Sequence, residues 1–153
     1  MKKKIIPVKV SWQISPSSPE MSVVEADDDG NVLIDFLATN LEGEFVERTV
    51  EISFSGCAYF MYSPCYSDLK LFDESFFDMS LIDMWLPPKG SSQAFFDKWK
   101  RTTFCPNSNF LEIEGSDEAK KVHWFDDIKH YILFGNHMMI SLLARDYTWN
   151  IKH

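Results

Sequence analysis

The chemistry-bearing residues nearest the amino end are three successive aspartates, Asp27–Asp29, followed by Gly30. Placing Gly30 at the sixth position of a calcium-binding loop puts Glu25 and two of the aspartates at the first, third and fifth positions. The twelfth position is then Phe36, where such a loop requires a bidentate glutamate. We therefore predict a solvated hairpin turn here and no metal site.

Histidine is another common metal ligand, and three of the four histidines recur every seven residues, at His123, His130 and His137. A two-residue turn at 135–136 would place Phe134 opposite His137 and His130 opposite Ser141. The three imidazole rings then do not converge on one ion. We predict ordinary hydrogen-bonded or exposed histidines and no metal or cofactor.

The cysteines offer a thiol nucleophile or a metal ligand, but Cys57, Cys65 and Cys105 form no CxxC pair. An odd number of cysteines cannot all form disulfides within one chain, which agrees with a reducing compartment. We predict free thiols that fill apolar space. A nucleophilic role would require a spatial neighbour that the sequence does not identify.

Carboxylates are the remaining candidates for acid–base chemistry, and four of them recur every five residues, at Asp68, Asp73, Asp78 and Asp83. Five steps change the face of a strand and rotate about 140° past a full turn of a helix, so these side chains do not gather in one site. The chain also lacks a glycine-rich phosphate loop, GxSxG and HExxH. We predict that the protein is not an enzyme.

The region 57–86 instead combines eight aromatic residues with five acids and a single base, Lys70. Tyrosine and tryptophan are enriched in binding hot spots, and carboxylates orient a cationic partner. The alternative is that its phenylalanines are core residues and its aspartates a solvated edge. The tyrosines favour a surface, and the predicted partner-binding residues are Tyr62, Tyr66, Asp68, Asp73, Glu74 and Asp78.

Alternating apolar residues predict the strands that would position these groups. The longer predicted strands are Ile5–Ile14, Met21–Ala26, Val32–Thr39, Phe45–Phe54 and Cys57–Tyr62. Shorter strands are predicted at Asp68–Phe72 and Phe110–Ile113, and Phe76–Trp85 is a strand or one helical turn, with a strand favoured. An antiparallel meander is the simplest arrangement of residues 5–54.

One clear helix is predicted near 91–103, because a serine can cap its start and Phe95 and Trp99 lie one turn apart. A further helical turn is predicted at 118–122. Two apolar strands form a hairpin around Gly135-Asn136. We predict one α+β domain over residues 1–153, with a mostly antiparallel sheet of six to eight strands.

The charge of the chain is uneven. Residues 1–86 contain 6 Lys and Arg against 15 Asp and Glu, whereas residues 87–153 contain 9 against 8. A field of this sign repels nucleic acid and attracts basic proteins, although charge of this kind also serves solubility alone. No run of apolar residues reaches the roughly 20 that a membrane helix needs. We expect a cytoplasmic protein with no nucleic-acid or membrane partner.

The carboxy-terminal third resembles small bacterial immunity proteins of polymorphic-toxin and contact-dependent growth-inhibition systems. The residues that carry the resemblance are Cys105–Phe110, Lys129–Asn136 and Ile140–Trp149, none of which is a catalytic motif. The resemblance implies a non-catalytic cytoplasmic inhibitor that binds a cognate toxin domain one to one. Many such toxins are basic nucleases, so an acidic inhibitor would cover the active site or the substrate path.

In that interpretation the carboxylates of 57–86 bind Lys and Arg of the toxin and the tyrosines are anchors. Replacement of Asp68 or Asp73 by alanine would then accelerate dissociation. Two alternatives remain open at this point. One is a small-ligand or regulatory binding domain, which would have a concave apolar pocket. The other is a structural subunit of a phage or secretion assembly, which would have a large exposed apolar patch.

Overall fold

The computed structural model describes residues 2–15, 21–64, 75–83, 90–122, 127–135 and 138–152. Within these ranges the fold is α+β. Eleven strands are present: β1 Lys3–Pro7, β2 Trp12–Ile14, β3 Met21–Ala26, β4 Val32–Leu41, β5 Phe45–Ser55, β6 Tyr59–Pro64, β7 Phe77–Asp78, β8 Phe110–Glu114, β9 Lys129–Phe134, β10 Met138–Ala144 and β11 Asp146–Lys152. The two helices are α1 Ser92–Thr102 and α2 Asp117–Lys120.

The strands form two sheets that pack face to face. The six-stranded sheet has the order β6-β10-β9-β8-β1-β7, and the five-stranded sheet has the order β11-β5-β4-β2, with β3 also paired to β4. Every pairing is antiparallel except that of β1 with the two-residue strand β7. The predicted antiparallel α+β class is therefore confirmed.

One shared core lies between the sheets, and aromatic rings make up much of it. Phe110 of the six-stranded sheet stacks on Trp12 of the five-stranded sheet, with ring centroids 6.2 Å apart and planes 4° from parallel. Phe54 meets both Phe110 and Tyr131 at 6.0 and 5.6 Å. These large rigid rings explain how a chain with many aromatic residues fills the space between two sheets.

The five-stranded sheet buries one face on the shared core, and its other face is open except where α1 packs against Leu41 and Phe45. Along β4, buried and partly exposed residues alternate without interruption over all ten positions. Val50, Ile52 and Phe54 alternate in the same way along β5. This alternation is typical of an antiparallel sheet with one face on the core and the other towards water.

The central strands of the six-stranded sheet are buried on both faces. In β9 every residue from His130 to Phe134 is buried, and in β10 every residue from Ile140 to Ala144. The face away from the shared core carries a second apolar cluster of Ile5, Leu111, Ile113, Ile132 and Phe134, against which Phe77, Met79, Ile82 and Met139 pack. Continuous apolar runs are expected for strands covered on both sides.

The predicted strand Ile5–Ile14 is wrong as a single element. The chain leaves the six-stranded sheet after Pro7 and enters the five-stranded sheet at Trp12. Between them, the Val8 N–H donates to Phe110 O and Val10 O accepts from the Cys105 N–H, at 2.9 Å each. The period of two continues through the crossing because Val8, Val10, Trp12 and Ile14 all face the shared core. Periodicity alone therefore could not locate the crossing.

The carboxy-terminal hairpin forms, but in a register two residues from the predicted one. Phe134 lies opposite Met139 and His130 opposite Leu143. The Gly135 N–H donates to Met138 O at 2.8 Å, so the pairing continues through Gly135, which the prediction had placed inside the turn. A shift of two residues keeps every side chain on its predicted face, so His130 and Ser141 still share one side.

The strands predicted for the centre of the chain are present only in part. β6 begins and ends two residues later than predicted. Of the predicted strand 76–85, the structure describes residues 76–83, and among these only Phe77–Asp78 is a strand. The predicted strand 68–72 lies outside the described residues. The described ranges hold eleven strands instead of the predicted six to eight; one reason is that the stretch Ile5–Ile14 passes from one sheet to the other and forms two strands.

Helix α1 forms where it was predicted. The Ser91 side chain accepts from the Ala94 N–H, and Phe95 and Trp99 are the buried residues of the helix. The helix ends before Cys105-Pro106, because Thr103 adopts a left-handed conformation with φ 64° and its N–H donates to Trp99 O at 2.8 Å. Neither described helix is long and apolar enough to cross a membrane.

The chain changes sheets a second time at Arg145, between β10 and β11. The Arg145 N–H donates to Ser55 O at 3.0 Å, and its side chain covers Gly56. A Cβ atom at Gly56 would lie 2.6 Å from Arg145 Cδ, and the Gly56 φ is +61°. Only glycine fits this corner without displacing the arginine. Arg145 then pairs with Asp127 at 2.8 Å.

Candidate functional site

The six residues predicted to bind a partner do not form one described site. Tyr66, Asp68, Asp73 and Glu74 lie outside the described residues, and their roles stay predictions. Tyr62 lies on β6 and Asp78 on β7, which form opposite margins of the six-stranded sheet. Five inter-strand spacings of about 4.8 Å separate the two strands by about 24 Å. These two side chains are therefore not brought together.

Tyr62 lies where the margins of the two sheets meet. Its side chain is 42% exposed. Its hydroxyl donates to the backbone oxygen of Met21 on β3 at 3.1 Å. Val23 and Val24 of β3 are also exposed, at 39% and 53%. An amphipathic ring at a partly open apolar margin is suited to a protein–protein contact.

Asp78 has a local structural role. Its Oδ1 accepts a hydrogen bond from the Ser80 N–H at 2.9 Å, which forms a turn after β7. Hydrogen bonds from Ser80 hold the pKa of the Asp78 carboxyl below its ordinary value, with Lys4 and Lys2 contributing. The carboxylate is ionised at neutral pH, but it serves the turn.

Four of the described carboxylates lie instead on the outer side of the five-stranded sheet. We call this the acidic face and define it by the outward residues Glu25, Asp35, Glu47, Glu51 and Lys152. Four acids and one base give it a net charge of −3. Leu33 and Leu37 are partly exposed between the carboxylates. Carboxylates interspersed with apolar groups are suited to contact with a basic protein surface.

Two carboxylates of the acidic face oppose each other directly across β4 and β5. Asp35 pairs in register with Glu51, an arrangement that destabilises a sheet when both are ionised. Lys152 lies between them, with Nζ at 2.8 Å from Asp35 Oδ2 and 3.0 Å from Glu51 Oε2. These contacts raise the pKa of Lys152. Asp35 Oδ1 is buried and has no hydrogen-bond partner among the described residues.

The triple aspartate forms the predicted turn. Asp27 accepts hydrogen bonds from the backbone of Asn31 and Asp29 at 2.9 and 3.0 Å, and from the Asn31 side chain. The Asn31 bonds lower the pKa of the Asp27 carboxyl. No group of three or more possible metal ligands occurs within the described residues. All three aspartates are exposed, so the turn extends the negative charge beyond the acidic face.

His130 is the one described member of the histidine series, and it is buried between two serines. Its Nδ1 lies 2.7 Å from Ser116 Oγ, and its Nε2 lies 2.7 Å from Ser141 Oγ. Ser116 also caps α2 by accepting from the Ala119 N–H at 3.2 Å, and it donates to Glu118 at 3.1 Å. His123 and His137 lie outside the described residues.

These bonds select one tautomer of His130. Ser116 has a single hydroxyl proton, which satisfies Glu118, so its oxygen accepts from a protonated Nδ1. The Nε2 atom then accepts from the Ser141 hydroxyl. Burial lowers the pKa of His130, which keeps the ring neutral at pH 7, although Glu118 acts in the opposite direction. A serine–imidazole pair can perform acyl transfer, but Ser141 is only 6% exposed and lies within a strand.

The described cysteines are poor nucleophiles. Cys57 and Cys105 are free thiols, and burial raises the pKa of each. Both are therefore protonated at neutral pH. Cys65 lies outside the described residues. In the aspartate series, Asp83 pairs with Lys98 at 2.6 Å, and Asp68 and Asp73 are not described.

Three open grooves of about 480 to 560 Å³ are lined by described residues. The largest runs beside His130 and has charged walls that include Glu112, Glu114, Lys120 and Lys129. Small-ligand sites are usually concave and mostly apolar. These grooves do not favour the small-ligand alternative.

Sequence reasoning missed the acidic face, although the signal was present. Asp35 lies between Ile34 and Phe36, and Glu51 lies between Val50 and Ile52, so each carboxylate occupies an outward position of a predicted strand. Pairing the two predicted strands would have placed these acids on a common side. The contribution of Lys152 depends on β11 pairing with β5, which local pattern does not reveal.

Comparison of the chain with protein-family models, with curated proteins and with solved structures found no match.

Proposed function

We propose that this chain is the immunity protein of a polymorphic-toxin or contact-dependent growth-inhibition system, a non-catalytic inhibitor that binds a basic toxin domain one to one in the cytoplasm. The observation that supports this proposal best is the acidic face. It is one side of a sheet, the other side of which is firmly held by the shared core. A rigid, exposed and negatively charged platform is suited to covering a basic active site or a nucleic-acid path.

The charges of the acidic face support binding in two ways. Long-range attraction accelerates encounter with a basic partner, and this effect weakens as salt is added. At contact, Lys or Arg of the partner would approach Asp35 and Glu51, whose mutual repulsion is offset in the free chain by Lys152 alone among the described ion pairs. The free protein therefore retains an incompletely neutralised carboxylate pair that a partner can stabilise.

The proposal is tested with the products of the genes that flank the one encoding this chain. Each product is expressed, examined for growth inhibition with and without this chain, and measured for binding by surface plasmon resonance. We expect one basic toxin domain to be neutralised and bound. If no flanking product binds, or if binding leaves its toxicity unchanged, the proposed function is wrong.

A pair of charge-matched variants locates the surface. Asp35→Asn with Glu51→Gln removes two charges from the acidic face, and we expect dissociation to accelerate at least about tenfold. Glu114→Gln with Asp97→Asn removes two charges from exposed positions elsewhere. This control should change the dissociation rate by less than about threefold. Equal effects would mean that net charge, and not this face, determines binding.

A further inference from the structure

The strand β6 is a margin of the six-stranded sheet, and no described strand pairs with its outer edge. Among the described residues its only strand partner is β10. The side chains of Tyr59, Met61 and Tyr62 are 47%, 38% and 42% exposed. No charged residue occurs in β6. An edge strand of this kind presents unpaired backbone groups to any extended chain that approaches it.

The other sheet margins are better protected against strand addition. β7 and β2 contain only two and three residues. The register of β3 is interrupted by an irregularity between Val23 and Glu25. In addition, the backbone oxygen of Met21 on β3 already accepts a hydrogen bond from the Tyr62 hydroxyl. β11 carries charged residues at both ends, Asp146 and Lys152. Bulges, short strands and charges are the usual devices that prevent edge pairing, and β6 lacks them.

The turn at Asp27–Asp29 lies beside the start of β6. The Cys57 N–H donates to Gly30 O at 2.8 Å, and a Cβ atom at Gly30 would lie 3.1 Å from the Cys57 backbone. Glu25, Asp28 and Asp29 are exposed and take part in none of the ion pairs of the described residues. Negative charge therefore flanks one end of an uncharged, apolar edge.

We propose that β6 binds an extended basic segment of the partner as an added strand of the six-stranded sheet. This inference rests on the proposed function and specifies how the partner is held. Backbone hydrogen bonds would supply affinity, and the acidic turn would select a segment with Lys or Arg at the end that lies against it. A second copy of the chain fits less well, because each copy carries a net charge of −8.

The geometry of β6 defines the length and pattern of the segment. About six residues would pair before Pro64, which has no N–H to donate. Tyr59 and Met61 share one side of the strand, and Tyr62 is on the other, directed to β3. Apolar residues at alternate positions of the segment would contact Tyr59 and Met61.

The experiment uses a synthetic peptide, Lys-Thr-Val-Lys-Val-Thr-Lys, added to the isotopically labelled full chain. Amide exchange and chemical shifts are followed by nuclear magnetic resonance. A second peptide carries N-methyl groups on two successive central residues, which blocks both of its edges and keeps its charge. We expect the first peptide to slow exchange of β6 amides at least about fivefold, and the second to bind at least about tenfold more weakly.

Two protein variants complete the test. Met61→Lys adds a protective cation to β6 and should abolish the exchange effect. Val24→Lys adds the same charge at an exposed position of β3, 53% against 38% for Met61, and should not abolish it. Equal binding of both peptides would overturn strand addition while leaving the acidic surface intact. Absence of peptide binding would overturn it too. If the original chain sediments as a dimer and Met61→Lys sediments as a monomer, the edge of β6 binds a second copy of the chain and the proposal is wrong. Failure of the proposed function appears separately, as no binding by any flanking gene product.

Discussion

The central strands of the six-stranded sheet are buried on both faces, whereas the five-stranded sheet buries one face and exposes most of the other. The outer sides of the two sheets therefore have different roles, apolar burial in one and surface charge in the other. Where both faces are covered, each outward side chain contributes apolar burial, and a polar group such as His130 must be fully hydrogen-bonded. Where one face is open, opposed carboxylates are tolerated because water and Lys152 screen them. Both sheets therefore stabilise the shared core, but the outer side of the six-stranded sheet adds further apolar burial whereas the outer side of the five-stranded sheet carries surface charge.

A lysine introduced on the outer side of each sheet should show the largest difference between the two sheets in the free energy of unfolding. Ile132 is 4% exposed in the second apolar cluster, so Ile132→Lys buries an unpaired charge. We expect it to lower the free energy of unfolding by more than about 4 kcal/mol or to prevent folding. Thr148→Lys, at an exposed position on the open face, should stay within about 0.5 kcal/mol of the original chain.

Urea denaturation followed by tryptophan fluorescence measures both variants. If Ile132→Lys were as stable as Thr148→Lys, the outer face of the six-stranded sheet would be accessible to water. The contrast between the two sheets would then not hold.

Acid should weaken the protein through the buried histidine of the six-stranded sheet. Burial lowers the pKa of His130 below its ordinary value of 6.5 in the folded chain. As pH falls below about 6.5, the unfolded chain takes up this proton first, so stability decreases. The slope is at most about 1.4 kcal/mol per pH unit and ends at the lowered pKa.

The unfolding free energy is measured by urea titration between pH 5 and 7.5, and His130→Gln is the matched variant. It should remove this part of the slope, while losing some stability at neutral pH because its amide cannot reproduce both serine contacts. An unchanged slope in His130→Gln would assign the acid sensitivity to carboxylates such as Glu118, whose pKa is lowered.

The smallest effect is expected on the acidic face. Lys152→Met keeps the aliphatic stem and removes the charge between Asp35 and Glu51. We expect a fall of a few degrees at most in the melting temperature at low salt, because exposed ion pairs contribute little. The difference should shrink in 0.5 M salt, which screens the remaining repulsion. A salt-independent loss, measured by calorimetry, would indicate lost packing instead.

Local pattern predicted much of the fold for identifiable reasons. The alternation in β4 and β5 and the cap and apolar stripe of α1 are properties of short segments, so they are visible in the sequence. The crossings at Val8–Ser11 and at Arg145 are not, because a strand that changes sheets can keep its period of two. The register of the β9–β10 hairpin is not visible either, because Gly135, a residue typical of turns, continues the pairing with Met138.

The candidate site was less predictable. The sequence drew attention to aromatic and acidic residues along 57–86. Tyr62 and Asp78 are close in this sequence, but the fold places them at opposite margins of a sheet. The acidic face is assembled from strands β3, β4, β5 and β11, and its members Glu25 and Lys152 lie 127 residues apart. Such a surface follows from strand order, which short-range pattern does not contain.

The corner at Arg145 has a consequence for how the chain folds during synthesis. β5 pairs on one side with β11, and the register joins Thr49 to Lys152. The backbone hydrogen-bonding groups on that side of β5 therefore lack their strand partner until the ribosome has released residues 146–152. Non-local strand pairing is also slow, because a long loop must close before the pairing is gained. The nascent five-stranded sheet therefore has a vulnerable interval, with β5 as the segment that a chaperone would need to shield.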